Sequence, residues 1–366
     1  MALCCSERTG RFSFAGAASG LPAEVLADVR QAVSGWHGSG MSVLELPFAG
    51  TDFLAIQRDA EATLRALLAI PPDYHVLFLQ GGATAQFRLV PLNLLGARDC
   101  AAYVETGHWS ARAVAEAGRV CRVAIAARTR NRIPPADTWR IPPGAAYCHI
   151  TGNETADGVQ FHHVPSSAGV PLIADLTADL LTGPLDIGRF GLIYASAQKN
   201  LGIAGLTVVI ARADLLGVAR AEVPAPFDYA RQVATESRIN TPPVFAVFVA
   251  GRMLKWLQHH GGLAAAAERC RRRSESVYAV IDAGDFYRCH VRPADRSHVS
   301  ISFHLPSAAL EAAFLIEAER QGLLHLQGHP SVGGIRACLY NAMPTAGADA
   351  LAAFMAEFVD AHRGRR

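Results

Sequence analysis

Lysine is nearly missing from this chain. Of its 34 Lys and Arg residues only Lys199 and Lys255 are lysine. Long apolar runs are missing too. None approaches the roughly 18 residues needed to cross a bilayer, so no membrane span is expected. The first residues, MALCCSERTGRF, hold no basic stretch followed by a long apolar one, which argues against a secretory leader. Net charge is only +2 over 366 residues, so there is no electrostatic case for nucleic acid or an anionic membrane as partner. The eight cysteines (Cys4, Cys5, Cys100, Cys121, Cys148, Cys270, Cys289, Cys338) contain no CxxC pair. They read as reduced thiols of a cytoplasmic protein, not as a disulfide framework or zinc site. His149, His162 and His163 likewise lack metal-ligand spacing with an acidic partner and read as structural or solvated. What remains is 51% hydrophobic and 18% charged, the composition of a globular enzyme long enough for two domains.

Against that scarcity, Lys199 has an unusual setting. Three short apolar runs, 171–174, 191–194 and 206–211, are bounded by Gly, Pro or a charge and read as buried strands. The first ends on Asp175. The second runs into Ala195-Ser196-Ala197-Gln198-Lys199-Asn200-Leu201-Gly202. A lysine amine held among apolar groups has a lowered pKa and can serve as nucleophile and base. A carboxylate placed nearby can keep a pyridine nitrogen protonated. The pair suggests pyridoxal phosphate (PLP). A surface lysine in a turn plus a capping aspartate would give the same spacing, so spacing alone leaves both readings open.

Helices are expected over 22–33, where Pro22 opens the first turn, and over 52–68, with Phe53, Ile56, Ala60, Leu64 and Leu67 on one face. A strand at 75–80 meets Gly81-Gly82-Ala83-Thr84 and then a helix to residue 95. That geometry offers backbone N–H groups to a phosphate, although a Gly-Gly turn alone does not single one out. A strand at 100–105 leads to Thr106-Gly107-His108-Trp109, and one at 147–151 leads to Gly152-Asn153-Glu154-Thr155. Alternation of strands and helices over 70–215 predicts a mainly parallel sheet covered on both faces. Ligands should gather at the carboxyl ends of its strands, where Asp175, Lys199, Trp109, Thr155 and the Gly81 turn all fall. Residues 223–238 are polar and Pro-broken and read as a loop over the site. A long helix is expected from 240 to 257. The Arg-rich stretch 268–279 reads as a solvated helix face, and 299–303 as a half-buried strand. Further helices are expected over 310–321 and 348–362.

The wording of several blocks is more specific. FLQGGATAQFRLVPLNLL (78–95), ITGNETADGVQF (150–161), ADLTADLL (174–181), FGLIYASAQKNLGIAGLTVVI (190–210), NTPPVFAVFVAGRMLKWL (240–257) and GHPSVGGIRACLYNAMP (328–344) occur in this order. Together they resemble the phosphoserine aminotransferase family, within the class V, fold-type I PLP enzymes, over residues 12–358. The resemblance implies an α/β fold: a large domain (21–257) with a mainly parallel, seven-stranded type of sheet, and a small α+β domain (258–366). An N-terminal arm (1–20) would pack with the small domain. It implies a homodimer with active sites at the interface, acting on an amino acid and a 2-oxo acid. Lys199 would be the Schiff-base lysine, Asp175 the partner of the pyridine nitrogen and Trp109 the residue stacked on the ring. Ala83 and Thr84 would cradle the cofactor phosphate, Thr155 would lie near the ring oxygen, and Gln198 would also touch the cofactor. Asn240 and Thr241 would reach the phosphate of the neighbouring subunit. Arg336 would grip the substrate's α-carboxylate, a task suited to the planar guanidinium fork.

Three departures bear on the substrate. Phe48 and Ala49 stand where the family carries a His-Arg pair. Pro330 replaces the arginine of its GHR block, leaving His329. The SGPA-type turn becomes Gly16-Ala17-Ala18-Ser19. Charge-assisted hydrogen bonds contribute about 1.5–3 kcal/mol each, so losing two such bonds and a histidine would cost on the order of a thousandfold or more in discrimination. The first expectation is therefore an aminotransferase for a different, non-phosphorylated amino acid of a specialised biosynthetic pathway, with Phe48, Ala49 and His329 lining its pocket. The alternative keeps phosphoserine, 3-phosphohydroxypyruvate and glutamate, with phosphate held by His329 and by Arg231 or Arg238. β-Elimination, decarboxylation or racemisation on the same scaffold stays open. A PLP-binding subunit without activity is the non-enzymatic reading, against which the retained Lys199 and Asp175 argue.

Overall fold

Strand runs between residues 74 and 212 assemble into one seven-stranded sheet in the computed structural model, which describes residues 10–363. The strands are β1 (Tyr74–Gly81), β2 (Cys100–Glu105), β3 (Arg122–Arg128), β4 (Cys148–Thr151), β5 (Leu172–Asp175), β6 (Leu192–Ser196) and β7 (Gly205–Arg212). Their spatial order is β1-β7-β6-β5-β4-β2-β3. β7 runs antiparallel to both neighbours, and every other pairing is parallel. The helices are α1 (Ala23–Ser34), α2 (Thr51–Leu68), α3 (Ala83–Leu94), α4 (His108–Ala117), α5 (Tyr229–Ala234), α6 (Val244–His259), α7 (Gly262–Asp282), α8 (Ala308–Arg320) and α9 (Thr345–His362).

The two-residue period of a strand decides which helices cover which face. Ile193 and Ala195 of β6 point to one side and pack with Phe53 and Leu64 of α2 and Val247 and Leu254 of α6. Leu192 and Tyr194 point to the other and pack with Phe87 and Val90 of α3, Ala113 of α4 and Tyr229 of α5. With both faces covered, the inner strands are apolar at nearly every position, as parallel sheets require.

A second core lies in the C-terminal third. Phe14, Tyr287, Ile301, Phe303, Phe314, Phe354 and Phe358 fill it. Strand Ser300–Phe303 pairs antiparallel with Ile335–Cys338, and the arm strand Phe12–Ser13 pairs parallel with Leu323–Leu324. The first nine residues of the arm, including Cys4 and Cys5, lie outside the described residues. α7 carries the chain between cores: Leu263 and Ala266 belong to the first, Val277 and Ile281 to the second.

Three expectations are corrected. The 223–238 segment is not a free loop, because α5 packs it against α3. Tyr229 is buried, and its backbone N–H donates to Asn93 Oδ1 at 2.8 Å. The Arg-rich stretch of α7 is not wholly solvated. Arg273 is buried and donates to the carbonyls of Tyr340 (3.1 Å), Asn341 (3.4 Å) and Met343, fixing the chain after Arg336. The strand Ser300–Phe303 is buried at all four positions, its serines included. No helix among the described residues is long and apolar enough to cross a membrane.

Candidate active site

β1, β2, β4, β5 and β6 share one direction, so their carboxyl ends meet along one edge of the sheet. Lys199 lies in the turn after β6 and is buried. Its Nζ donates to Thr155 Oγ1 at 3.2 Å, and Trp109 Nε1 donates to the same oxygen at 3.0 Å. Thr155 occupies the hairpin that follows β4, between the paired segments Asn153–Glu154 and Val159–Gln160. Its carbonyl accepts from Arg336 Nη1 at 3.3 Å and from Ser300 Oγ at 2.9 Å. One residue thus ties together the lysine, the tryptophan and the arginine. The arm closes the assembly. Ser19 N donates to the Gln198 carbonyl at 2.9 Å, and its hydroxyl donates to the Lys199 carbonyl. A Cβ on Gly16 would stand 2.5 Å from Arg336 Nη2, so the altered arm turn keeps a glycine where the guanidinium lies on backbone.

Burial pushes the Lys199 amine below its ordinary value, opposed by Asp175 and Asp179. Burial raises the Asp175 carboxyl, opposed by Thr177, whose N–H donates to Oδ1 at 2.9 Å, and by Lys199. Asp179 is pushed up to about 7 by burial and accepts from Asn153 Nδ2 at 2.8 Å. His149 stacks between Tyr103 (4.8 Å) and Tyr194 (5.9 Å), and burial pushes its imidazole down to about 3. It is a neutral core residue.

Trp109 is fixed by carboxylates that the sequence did not single out. The first amides of a helix have no partner within it and attract negative charge. At the start of α4, Glu154 accepts from Trp109 N at 2.7 Å and Ser110 N at 2.8 Å, and Asp157 accepts from His108 N at 3.0 Å. Burial pushes Glu154 up to about 7. Gly107 makes this approach possible: a Cβ there would stand 2.5 Å from Asp157 Oδ2 and 2.8 Å from Glu154 Cδ. The His329 ring lies 5.7 Å from Trp109 and 4.5 Å from His108, and the Arg112 guanidinium lies 5.6 Å from the Trp109 ring centre. His108 and Arg112 were also missed. Their only signal is that they flank Trp109 on one helix.

At the end of β1, Gly81 has φ +103° and Gly82 precedes the first turn of α3, which Ala83 and Thr84 open. A Cβ on Gly82 would stand 3.4 Å from Ser196 Oγ. Ser196 Oγ donates to Gln198 Oε1. Thr84 is exposed, and its hydroxyl makes no hydrogen bond among the described residues. A buried amine, a buried carboxylate, an indole and a glycine-led helix N-terminus fit the carbonyl, ring nitrogen, ring face and phosphate of PLP. Of the remaining expected residues, Thr241 reaches the end of β1 beside the Gly81 turn. Thr241 is exposed and its carbonyl accepts from Gln80 Nε2, while Asn240 is half-buried beside it. Phe48 packs on the large core and Ala49 is exposed. Arg231 pairs with Asp228 at 3.7 Å and Arg238 with Glu236 at 2.8 Å. Among the described residues both guanidiniums are thus already paired with carboxylates.

Fold and site define a PLP-dependent aminotransferase of fold type I. The chain matches the Aminotransferase class-V family over residues 11–351. It is 47% identical over 356 residues to the phosphoserine aminotransferase of Laribacter hongkongensis, covering 96% of this chain and 99% of that protein. It is 45% identical over 363 residues to that of Nitrosomonas europaea, covering 96% and 99%. Phosphoserine aminotransferase from Bacillus circulans subsp. alkalophilus superposes with TM-score 0.92 at 39% identity, covering 95% of this chain and 98% of that one. The PLP-bound enzyme from Trichomonas vaginalis does so at 0.90 and 34%, covering 94% and 99%. The chain belongs to the phosphoserine aminotransferase family.

Proposed function

We propose that this enzyme interconverts phosphoserine and 3-phosphohydroxypyruvate, with glutamate as the other amino acid. Relatives of that name match almost the whole chain at 47% identity, and they favour this reading over the non-phosphorylated substrate expected from Phe48, Ala49 and Pro330. The observation that carries it is the pairing of Arg336 on the Thr155 carbonyl with His329 against Trp109. A substrate lying at Trp109 finds a fork for its α-carboxylate and an imidazole that can donate to a second anion.

Bound PLP withdraws electrons from the substrate's α carbon. Lys199, whose burial favours the neutral amine, would take the proton from that carbon and deliver it to C4′ of the cofactor, two atoms along. Asp175 holds the ring nitrogen's proton. Trp109, fixed by Glu154, covers the ring, and Ala83, Thr84 and Gln198 bind at the phosphate side. Arg336 orients the carboxylate. The active form is a cytoplasmic homodimer in which Asn240, Thr241, Phe48 and Ala49 serve the neighbouring subunit's site. The two cores are its large and small domains, dividing near residue 258 with α7 reaching into both.

The test is a single half-reaction. PLP-loaded enzyme is mixed with phosphoserine or with serine, and conversion of the cofactor to its amine form is followed by absorbance. Phosphoserine should react at least about tenfold faster, the weight of one charge-assisted contact. Equal or faster conversion by serine would contradict the reading, and release of pyruvate and ammonia would point to elimination instead.

A further inference from the structure

We infer that His108 and Arg112, together with His329, bind the distal anionic group of the substrate, in place of the arginines this chain lacks at positions 49 and 330. The inference rests on the reading that the substrate carries a second anion beyond its α-carboxylate.

Four residues apart on α4, His108 and Arg112 lie on the same side of the helix. His108 touches His329 at 4.5 Å between ring centres, and Arg112 lies over Trp109 at 5.6 Å. His329 itself meets the edge of Trp109 at 5.7 Å. Three cationic or protonatable groups thus gather at one indole, and Arg336 acts on the same imidazole. Burial is the main cause that pushes His329 below its ordinary range; His108, Arg336 and Arg112 add to it, and none of the groups acting on it is a counterion.

The nearby carboxylates do not supply that counterion. Asp157 acts on His108 but has its Oδ2 on the His108 backbone N–H, and Arg130 also acts on it. Glu154 is engaged by the amides of Trp109 and Ser110. Arg112 is exposed and has no hydrogen bond or ion pair among the described residues, whereas Arg119 and Arg122 nearby pair with Glu116 and Asp99. A guanidinium with free donors beside two imidazoles suits a phosphate dianion, which accepts several such bonds at once.

The experiment compares PLP-loaded wild type with Arg112→Gln, Arg112→Lys and His108→Asn. Two quantities are read: the ratio of kcat/KM for phosphoserine over serine, and the inhibition constant of inorganic phosphate. Wild type should prefer phosphoserine. Arg112→Gln should cut that preference about 10–100-fold, chiefly through KM, and weaken phosphate inhibition similarly, the loss expected for one or two charge-assisted bonds. His108→Asn should act in the same direction, and Arg112→Lys should recover part of the loss. An unchanged cofactor absorption band shows that a variant is folded. If wild type prefers phosphoserine while Arg112→Gln and His108→Asn keep that preference within about twofold, the inference is overturned and the function stands. If wild type shows no preference, the reading of function fails and the inference fails with it.

Discussion

Replacing Thr155 by valine probes the joint on which the site is hung. Valine keeps the shape of the side chain but removes the oxygen that receives Lys199 Nζ at 3.2 Å and Trp109 Nε1 at 3.0 Å. Losing a neutral hydrogen bond costs about 1 kcal/mol and losing one from a charged donor about 1.5–3 kcal/mol. The added methyl returns about 0.8 kcal/mol of apolar burial. Net destabilisation of the cofactor-free protein should be about 2–3 kcal/mol, with loss of the Lys199 proton limiting the upper end. Urea unfolding followed by circular dichroism measures it as a lower midpoint at unchanged slope. Thr155→Ser retains the acceptor and gives up only a methyl, so it should cost about 1 kcal/mol or less. A Thr155→Val midpoint equal to wild type would show that these bonds do not hold the site together. So would a Thr155→Ser loss as large as that of Thr155→Val, since the hydroxyl would then carry none of the energy.

Asp179 gives a pH prediction. Burial raises its carboxyl to about 7 in the folded chain, against about 3.9 when unfolded. The folded state binds this proton more tightly, so its contribution to stability is full below about pH 4 and is lost as pH rises toward 7. Asp179→Asn should flatten that part of the profile and raise stability at pH 8 by up to about 4 kcal/mol, read from urea midpoints at pH 5 and 8. Phe314 sits in the second core with Phe354 at 4.9 Å, Phe358 at 5.2 Å and Phe303 at 5.9 Å. Phe314→Ala should cost about 3–5 kcal/mol in the same unfolding assay. Lys199→Ala should abolish the half-reaction with every amino acid, and full turnover in that variant would remove the basis of the mechanism.

The parts of the fold most legible in the sequence are those buried on two sides. β5, β6 and β7 are continuous apolar runs, and their ends place Asp175 and Lys199 at one edge without further information. β3 escaped notice because Arg122 and Arg128 bound a run rich in alanine at the sheet's edge. The serines of Ser300–Phe303 imitate a solvated face, although Ser300 in fact donates to the Thr155 carbonyl. Prolines and charges in 223–238 concealed Tyr229, whose ring is a core residue. Glu154, Asp157, His108 and Arg112 were hidden for a different reason. Their roles depend on the β4 hairpin meeting the start of α4 and on His329 arriving from the C-terminal part, contacts that no local pattern records. The sequence motifs did mark Thr155, Trp109 and Arg336 one by one. That a single threonine joins them belongs to the tertiary structure.

Complete turnover reads amino transfer at Lys199 to a substrate with two anionic ends in one assay. Glutamate would be supplied with 3-phosphohydroxypyruvate or with unphosphorylated hydroxypyruvate, and 2-oxoglutarate would be measured for wild type and Lys199→Ala. Turnover is expected with the phosphorylated acceptor, much less with the unphosphorylated one, and none in the variant. Turnover confined to the unphosphorylated acceptor would contradict this and return Phe48, Ala49 and Pro330 to the place of specificity determinants.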